Sequence, residues 1–434
     1  LTLRGESVAL GSGDELIVGR TRLRLFTADH PVPPVESLRG AMGLFDPKRP
    51  LLALTVVAFS VLFFSDSTLY RLDLTEIHYP LGILKARMLS SGQLPLWNPH
   101  IQFGFPQMAD QDVLALNPLN LLFLLPVKPH LALSLFIVAH FVLAGVFSYL
   151  LARGLQLSRV AALVTAITFA LSGYLAAQLT NLPILTGSVW LPLIFLLFLK
   201  TLQTKRFVYA ILCGAAIALQ ILASHPQVVF YSLLTLGAYG AFRLILLWRT
   251  KDPDLQKGRQ TLVLLSLMAG VVLIGLLLAA VQILPTWELR AFSSRATGLS
   301  YGMMTLWSLP PYGLLTLLFP TILGNPVMGY LGEGTFEELH VYVGILPLML
   351  SLCAWSKKTR DSHVAFFTIL AGASLVLALG RYTPVYHLLV RVPGFNFFRV
   401  PPRWLFTVTF SLSILAGYGL DTLVSGRDRT DARY

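Results

Sequence analysis

Apolar runs long enough to cross a bilayer recur along most of this chain, and they decide nearly everything it can fold into. Leu131–Leu151, Phe207–Ala223 and Leu262–Leu284 are examples, each close to the roughly 18 residues that a spanning helix needs. Composition says the same. The chain is 55% hydrophobic and 12% charged, with a mean hydropathy of +0.69, where soluble domains carry about 25% charged residues. The expected class is an all-α polytopic membrane protein.

The apolar pattern places about ten spans, at approximately 50–66, 131–151, 158–178, 183–201, 206–224, 226–247, 260–284, 340–356, 364–380 and 404–423. Basic residues give this list a test. With a cytoplasmic N-terminus, the inside loops carry Arg153 and Arg159, Lys200 and Arg206, Lys251 and Arg259, Lys357 and Arg360, and finally Arg427 and Arg433. Every inside loop is then basic, as the positive-inside rule requires, and both termini are expected in the cytoplasm. The same distribution accounts for the net charge of +12. Its clusters orient spans, and they do not form a nucleic-acid surface. Cys213 and Cys353 lie inside apolar runs and read as small core residues.

Leu314–Leu323 does not fit as a span. It is short, bounded by Pro310-Pro311 and Pro320, and a crossing there would invert every later loop. It is expected to be re-entrant or interfacial, with its non-helical backbone buried against protein. A pair of short spans is the alternative.

On this topology the unusual polar residues collect on the extracytoplasmic side. The largest contributor is a first loop over residues 66–130, and a long ordered loop costs conformational entropy that tethering alone does not require. It holds two acidic pairs. Asp73 and Glu76 would share a helical face, with His78 beside them; they suit a general base or an oxygen ligand to a divalent metal. Asp73 equally suits a helix N-cap with Glu76 at the third position. Asp110 and Asp112, in Met108-Ala-Asp-Gln-Asp-Val113, either face the first pair or are solvated turn residues. His225, in Ser224-His-Pro-Gln227, stands at the mouth of the same face, as a ligand or as a hydrogen-bonded turn residue. Arg290, Arg295, Arg391, Arg399 and Arg403 lie outside against the positive-inside trend. Arg399 and Arg403 suit a phosphate contact, or snorkelling to lipid headgroups.

Residues 1–27 are polar, with strand-like alternation, and 28–48 read as a proline-bearing linker ahead of the transmembrane domain, 49–434. Gly13-Asp-Glu15 followed by Val18-Gly-Arg-Thr-Arg-Leu23 resembles the last hairpin of a forkhead-associated domain, without that domain's phosphate-binding loops. A short hairpin is the simpler reading.

An ordered set of motifs carries a wider resemblance. It begins with Asp73-Leu-(x4)-Tyr-Pro80, Gly92-Gln-Leu-Pro-Leu-Trp-Asn-Pro99 and Gly104-Phe-Pro106. It continues through Pro118-Leu-Asn120, Leu171-Ser-Gly-Tyr174, Trp190-Leu-Pro192, His225-Pro-Gln227 and Leu284-Pro-Thr-(x)-Glu288. Leu299-Ser-Tyr301, Ser308-Leu-Pro-Pro311, Leu318-Phe-Pro320, Tyr342-Val-Gly344 and Phe398-Arg-Val-Pro-(x)-Arg403 complete it. This set resembles the bacterial YfhO family, whose architecture is similar to the C-type glycosyltransferase (GT-C) fold.

The resemblance implies a multi-pass protein of the bacterial plasma membrane that moves a sugar from a polyprenyl-phosphate donor to a cell-envelope acceptor. It assigns the essential carboxylate to Asp73 and the lipid phosphate to Arg399 and Arg403. Glu76, His78, Asp110, Asp112, His225 and Glu288 become further substrate contacts. A divalent metal, Mg or Mn, is compatible with the acidic groups but not demanded. The implied partners are the polyprenyl-phosphate sugar, membrane lipids and other membrane subunits. The alternative is a non-catalytic accessory or scaffold subunit that keeps the fold.

Overall fold

The computed structural model describes residues 73–101, 103–250, 256–293, 295–355, 361–392 and 394–430, together with four short strands near the N-terminus. The chain divides into two units, Leu1–Pro50 and Leu51–Tyr434.

In the first unit Glu15–Val18 and Thr21–Arg24 form an antiparallel hairpin, with Glu15 opposite Arg24 and Val18 opposite Thr21. Thr2–Leu3 pairs with Glu6–Ser7. The expected linker and the first expected span lie outside the described residues.

The second unit is helical. Among the described residues, six helices are long and apolar enough to cross a membrane: Pro129–Gly154, Arg159–Thr180, Leu182–Thr204, Pro226–Arg249, Lys257–Leu278 and Pro401–Val424. Six of the expected spans fall on them. Two more are shorter apolar helices, Phe207–Leu222 and Ser362–Ala378. At about 1.5 Å per residue, the first of these reaches only about 24 Å, so it falls short of a full hydrocarbon core. The span expected over 340–356 is a helix only over Ile345–Cys353.

Prolines and side-chain oxygens start several of these helices. Pro129 and Pro226 occupy first-turn positions where their missing N–H is no loss. Ser158 accepts the N–H of Ala161, and Asp361 that of His363.

Two of the long segments are broken near one end. Arg159–Ala170 stops at Leu171-Ser172, and the chain restarts as Gly173–Ala177. The break admits another segment. The Gly173 N–H donates to Tyr342 O at 2.7 Å, and a Cβ on Gly173 would strike the ring of His340. The Leu182–Thr204 segment is divided in the same way into Leu182–Ser188 and Leu191–Thr204. Irregular backbone at membrane depth is tolerated where protein buries it. Leu182, Leu185, Val189 and Leu191 are fully or nearly fully buried.

The final helix, Leu405–Thr430, is the centre of packing. It lies against Ile345–Cys353, Ser362–Ala378 and Arg159–Ala170. Gly419 allows the closest of these approaches, because a Cβ there would meet the Leu350 carbonyl. Phe195, Tyr239, Phe366, Phe367 and Phe410 form an aromatic core with ring centroids 5.0–6.0 Å apart. By contrast, Lys257–Leu278 is peripheral, with Leu262, Leu273 and Leu277 exposed.

Candidate active site

A cavity of about 610 Å³ opens between the acidic turn of the first loop, the start of the Pro226–Arg249 helix and the Ala280–Ala291 helix, a volume within the usual range for small-molecule sites. Asp110 and Asp112 form one wall and His225 another, and Arg290 and Arg295 close it, with Ile283 and Phe398 as apolar lining.

The acidic turn is built from its own sequence and then pinned from four directions. Asp110 Oδ1 accepts the Asp112 N–H at 2.9 Å, which starts the short turn Gln111–Val113. Leu114 then leaves in a left-handed conformation, φ 56°. Gln282 Nε2 donates to Met108 O at 2.7 Å, and Thr286 Oγ1 donates to Ala109 O at 2.7 Å. Gln111 Nε2 donates to Ile221 O at 3.0 Å. Buried Lys85 donates to Val113 O at 3.0 Å and to Asn120 Oδ1 at 3.2 Å. Side chains therefore hold the backbone on both flanks of the two carboxylates. Such support fixes a reactive group before substrate arrives.

The electrostatics favour a base near neutral pH. Burial, then the neighbouring Asp112, raises the Asp110 carboxyl to about 6. Burial also raises Asp112, against the pull of Arg403, Arg295 and Arg399. Asp112 keeps 57% of its side-chain surface open. Asp112 lines the cavity with that exposed carboxylate.

His225 is buried. Its Nδ1 accepts the Gln227 N–H at 3.1 Å, capping the Pro226–Arg249 helix. That bond leaves the ring proton on Nε2, which lies 3.9 Å from Asp112 Oδ1. Burial, then Arg403, lowers its pKa well below the ordinary value, so the imidazole is neutral and faces the carboxylate.

The two expected phosphate arginines have different surroundings. Arg403 is buried and committed. Its Nε contacts Glu338 Oε1 and Oε2 at 3.0 and 3.2 Å, an Nη reaches Oε1 at 2.7 Å, and the other Nη donates to Gln227 Oε1 at 2.9 Å. Its fork already holds a carboxylate. Arg399 is not so engaged. Its guanidinium stands 5.9 Å over the Trp307 ring, and its buried Nε has no partner among the described residues. Arg295 is likewise without a side-chain hydrogen bond among those residues. Burial, then Arg399, holds its pKa below the ordinary arginine range. Arg290 is stacked between Trp287 and Phe397, at 4.7 and 4.1 Å, and donates to Ala296 O. Among the described residues Arg290, Arg295 and Arg399 make no ion pair, in contrast to Arg403.

Of the residues expected from sequence, Asp110, Asp112 and His225 line the cavity, and Arg399 and Arg403 stand behind it. Asp73 and Glu76 are exposed and do not line it. Asp73 begins a helix whose first turn, Leu74–His78, is π-type, and it makes no capping hydrogen bond; the expected N-cap is absent. His78 is buried beside Lys85, and burial, then that ammonium, lowers it to about 3. Glu288 is exposed on the side of Ala280–Ala291 away from the cavity.

Among the described residues no cluster of three or more His, Cys, Asp or Glu could hold a metal. Asp110 and Asp112 have no third carboxylate, and His225 Nδ1 is occupied. Among the described residues the Mg or Mn that the resemblance allowed therefore has no all-protein site; Asp110 and Asp112 would hold one only with water or a substrate phosphate completing the set.

Sequence reasoning missed Lys85, Gln227, Gln282 and Glu338. Gln227 belongs to the quoted His-Pro-Gln motif, and its weight could have been read there. Lys85 and Glu338 carry no local signal.

The helical bundle, with six helices long and apolar enough to cross a membrane and a charged cavity, defines a polytopic membrane protein. The description "Bacterial membrane protein YfhO" matches residues 49–430, and the chain belongs to that family. No curated protein matches it. Among solved structures, it resembles the Archaeoglobus fulgidus oligosaccharyltransferase AglB in complex with an inhibitory peptide and a dolichol-phosphate. That match has a TM-score of 0.52 at 14% identity and covers 89% of this chain and 51% of that one. The apo form of the A. fulgidus enzyme matches at 0.51, with the same identity and coverage. ArnT from Cupriavidus metallidurans, bound to undecaprenyl phosphate, matches at 0.43 and 16% identity, over 85% and 60% of the chains. The chain thus spans about half the length of the oligosaccharyltransferase whose fold it shares.

Proposed function

We propose that the protein is a membrane glycosyltransferase that moves a sugar from a polyprenyl-phosphate donor to a cell-envelope acceptor, with its cavity on the extracytoplasmic side. One observation carries this reading. A cavity sized for a sugar headgroup puts a pinned carboxylate opposite arginines that have no anion of their own.

In the proposed reaction Asp112 takes the proton of the acceptor hydroxyl. That oxygen attacks the anomeric carbon, and the bond from carbon to the phosphate oxygen breaks with inversion. The departing phosphate keeps the electron pair, and Arg295 and Arg399 stabilise its charge. His225 and Asp110 orient Asp112. Arg403 adds positive potential from behind and anchors Gln227. Leu276 and Ile283 continue the cavity wall toward the exposed face of Lys257–Leu278, where a prenyl chain would run into lipid.

The resemblance assigns the base to Asp73, whereas the cavity favours Asp112, and one experiment separates them. Turnover of a polyprenyl-phosphate sugar is measured in vesicles carrying wild type, Asp73→Asn or Asp112→Asn. Loss in Asp112→Asn alone supports the assignment here, and loss in Asp73→Asn alone restores the other. A wild type inactive with every donor, and co-purifying with other membrane proteins, points to an accessory subunit instead.

A further inference from the structure

Between Arg295 and Glu333 the chain carries no charged residue at all. This segment leaves the cavity end of the bundle. The Leu309 N–H donates to Ala378 O at the end of the apolar Ser362–Ala378 helix, and the Arg381 N–H donates to Ser308 Oγ at 2.9 Å. It returns there too, where the Tyr382 hydroxyl donates to Glu333 Oε2 at 3.1 Å. Both ends are therefore tied to the tip of the apolar Ser362–Ala378 helix and the turn that follows it.

Between these ties protein covers only part of Leu314–Leu323: Thr316 is buried and Leu314 and Leu317 pack against the core. After the 3-10 helix Pro311–Leu317, the side chains of Leu318, Phe319 and Ile322 are exposed. The chain then forms a small hairpin, Gly324–Asn325 paired with Gly329–Tyr330. Its tip and edge are the most exposed apolar side chains of the segment: Val327 at 94%, Met328 at 87% and Leu331 at 85%. In water these would be a liability.

The hairpin also goes far toward the main requirement of lipid, which is to pair backbone donors. Pro326 has no N–H. Asn325 Oδ1 accepts the N–H groups of both Val327 and Met328 at 2.9 Å. Leu331 N–H donates to Leu323 O at 2.8 Å, and Gly324 N–H to Thr321 O at 2.9 Å. An uncharged hairpin with apolar, exposed side chains, fixed to the end of an apolar helix, is suited to one surroundings above others.

We propose that residues 318–331 are an interfacial anchor, with Val327 and Met328 inserted into the bilayer leaflet on the cavity side. The occupant of this surface is lipid, because it lacks any charge with which a protein partner could set register, and because it continues from the membrane helices. The consequence for the site is direct. The chain beyond the anchor runs into Phe336–Leu339, which carries the Glu338 clamp on Arg403. The anchor thus fixes that clamp at the depth of the membrane surface.

The test needs no turnover and is independent of the proposed reaction. Single cysteines at Val327, Met328 and, as a water-exposed control, Gln93 are introduced with Cys353→Ser; Cys213 is buried and does not label. Each is coupled to an environment-sensitive fluorophore in phosphatidylethanolamine and phosphatidylglycerol vesicles. The expected result is blue-shifted emission at 327 and 328, quenched by doxyl-labelled lipids and not by iodide, with the reverse at 93. Iodide quenching at 327 and 328 would place the hairpin in water. Quenching by neither agent would place it against protein. Either outcome overturns the proposal.

Discussion

The first loop carries two acidic pairs, and the fold treats them in opposite ways. Asp73 and Glu76 stand exposed on the first turns of a helix, without a capping bond and outside the cavity. Asp110 and Asp112 sit on a turn held by Lys85, Gln111, Gln282 and Thr286, and they line a cavity shared with His225, Arg290 and Arg295. Local sequence gives both pairs the same chemistry. What separates them is second contacts, because a carboxylate can act as a base only if its backbone is held and its solvation is reduced.

The comparison breaks most easily at Asp112. Asp112→Asn keeps the shape and removes the base, so transfer should fall by about 10² to 10⁴. Asp73→Asn should stay within a few-fold. Turnover of a polyprenyl-phosphate sugar in vesicles, with insertion checked by detergent extraction, reads both. Equal losses would erase the distinction drawn here.

The arginines offer the same contrast for stability. Glu338→Gln leaves Arg403 buried with one carboxylate fewer, a change that typically costs about 3–5 kcal/mol, and thermal unfolding in detergent should show it. Arg399→Ala removes no ion pair and should change stability by less than about 1 kcal/mol. Its effect should appear instead as roughly tenfold weaker binding of polyprenyl phosphate, or about 1.4 kcal/mol. A large stability loss at Arg399 would mean that it too is structural.

How much of this was legible beforehand follows the range of the interactions. Long apolar runs announce themselves within a window, so most described spans fell where expected. The breaks did not, because Gly173 parts from the helix to meet His340 and Tyr342, far away in sequence. The cavity residues were recognisable as candidates, since Asp110, Asp112, His225 and Arg295 are polar groups in an apolar chain. Their ranking was not. Lys85 to Val113, Gln282 to Met108 and Arg403 to Glu338 join segments whose spacing carries no period, and those bonds decide which acidic pair is held. Lys85 reads in sequence as one more helix-surface cation, although it is 5% exposed.

That lysine supplies a smaller effect. Lys85→Met would strand the buried oxygens of Val113 and Asn120, each worth about 1–3 kcal/mol. Part of that cost is offset because burial lowers the ammonium's pKa to about 7. The sign follows from linkage. Between about 7 and the ordinary lysine value the unfolded chain binds more protons, so stability rises with pH across that window and is lost as pH falls through about 7. Unfolding of wild type at a series of pH values should show the rise, and Lys85→Met should lack it.

The smallest effect concerns the acidic pair itself. Asp110 lies at about 6, raised first by burial and then by Asp112, so the two carboxylates titrate as a coupled unit. Below about 6 the pair holds a proton and the base is partly lost, and transfer should rise through that pH. Asp110→Asn retains an oxygen to accept the Asp112 N–H, so the turn survives while the like charge disappears. The acid limb should then move down by about one unit, equivalent to about 1.4 kcal/mol. Folding should respond in the opposite sense in wild type. A raised carboxyl gives its full stabilisation below its unfolded value and loses it as pH climbs through about 6. A limb that stays near 6 in Asp110→Asn would show that another group governs it, and the pinned pair would lose its claim to the chemistry.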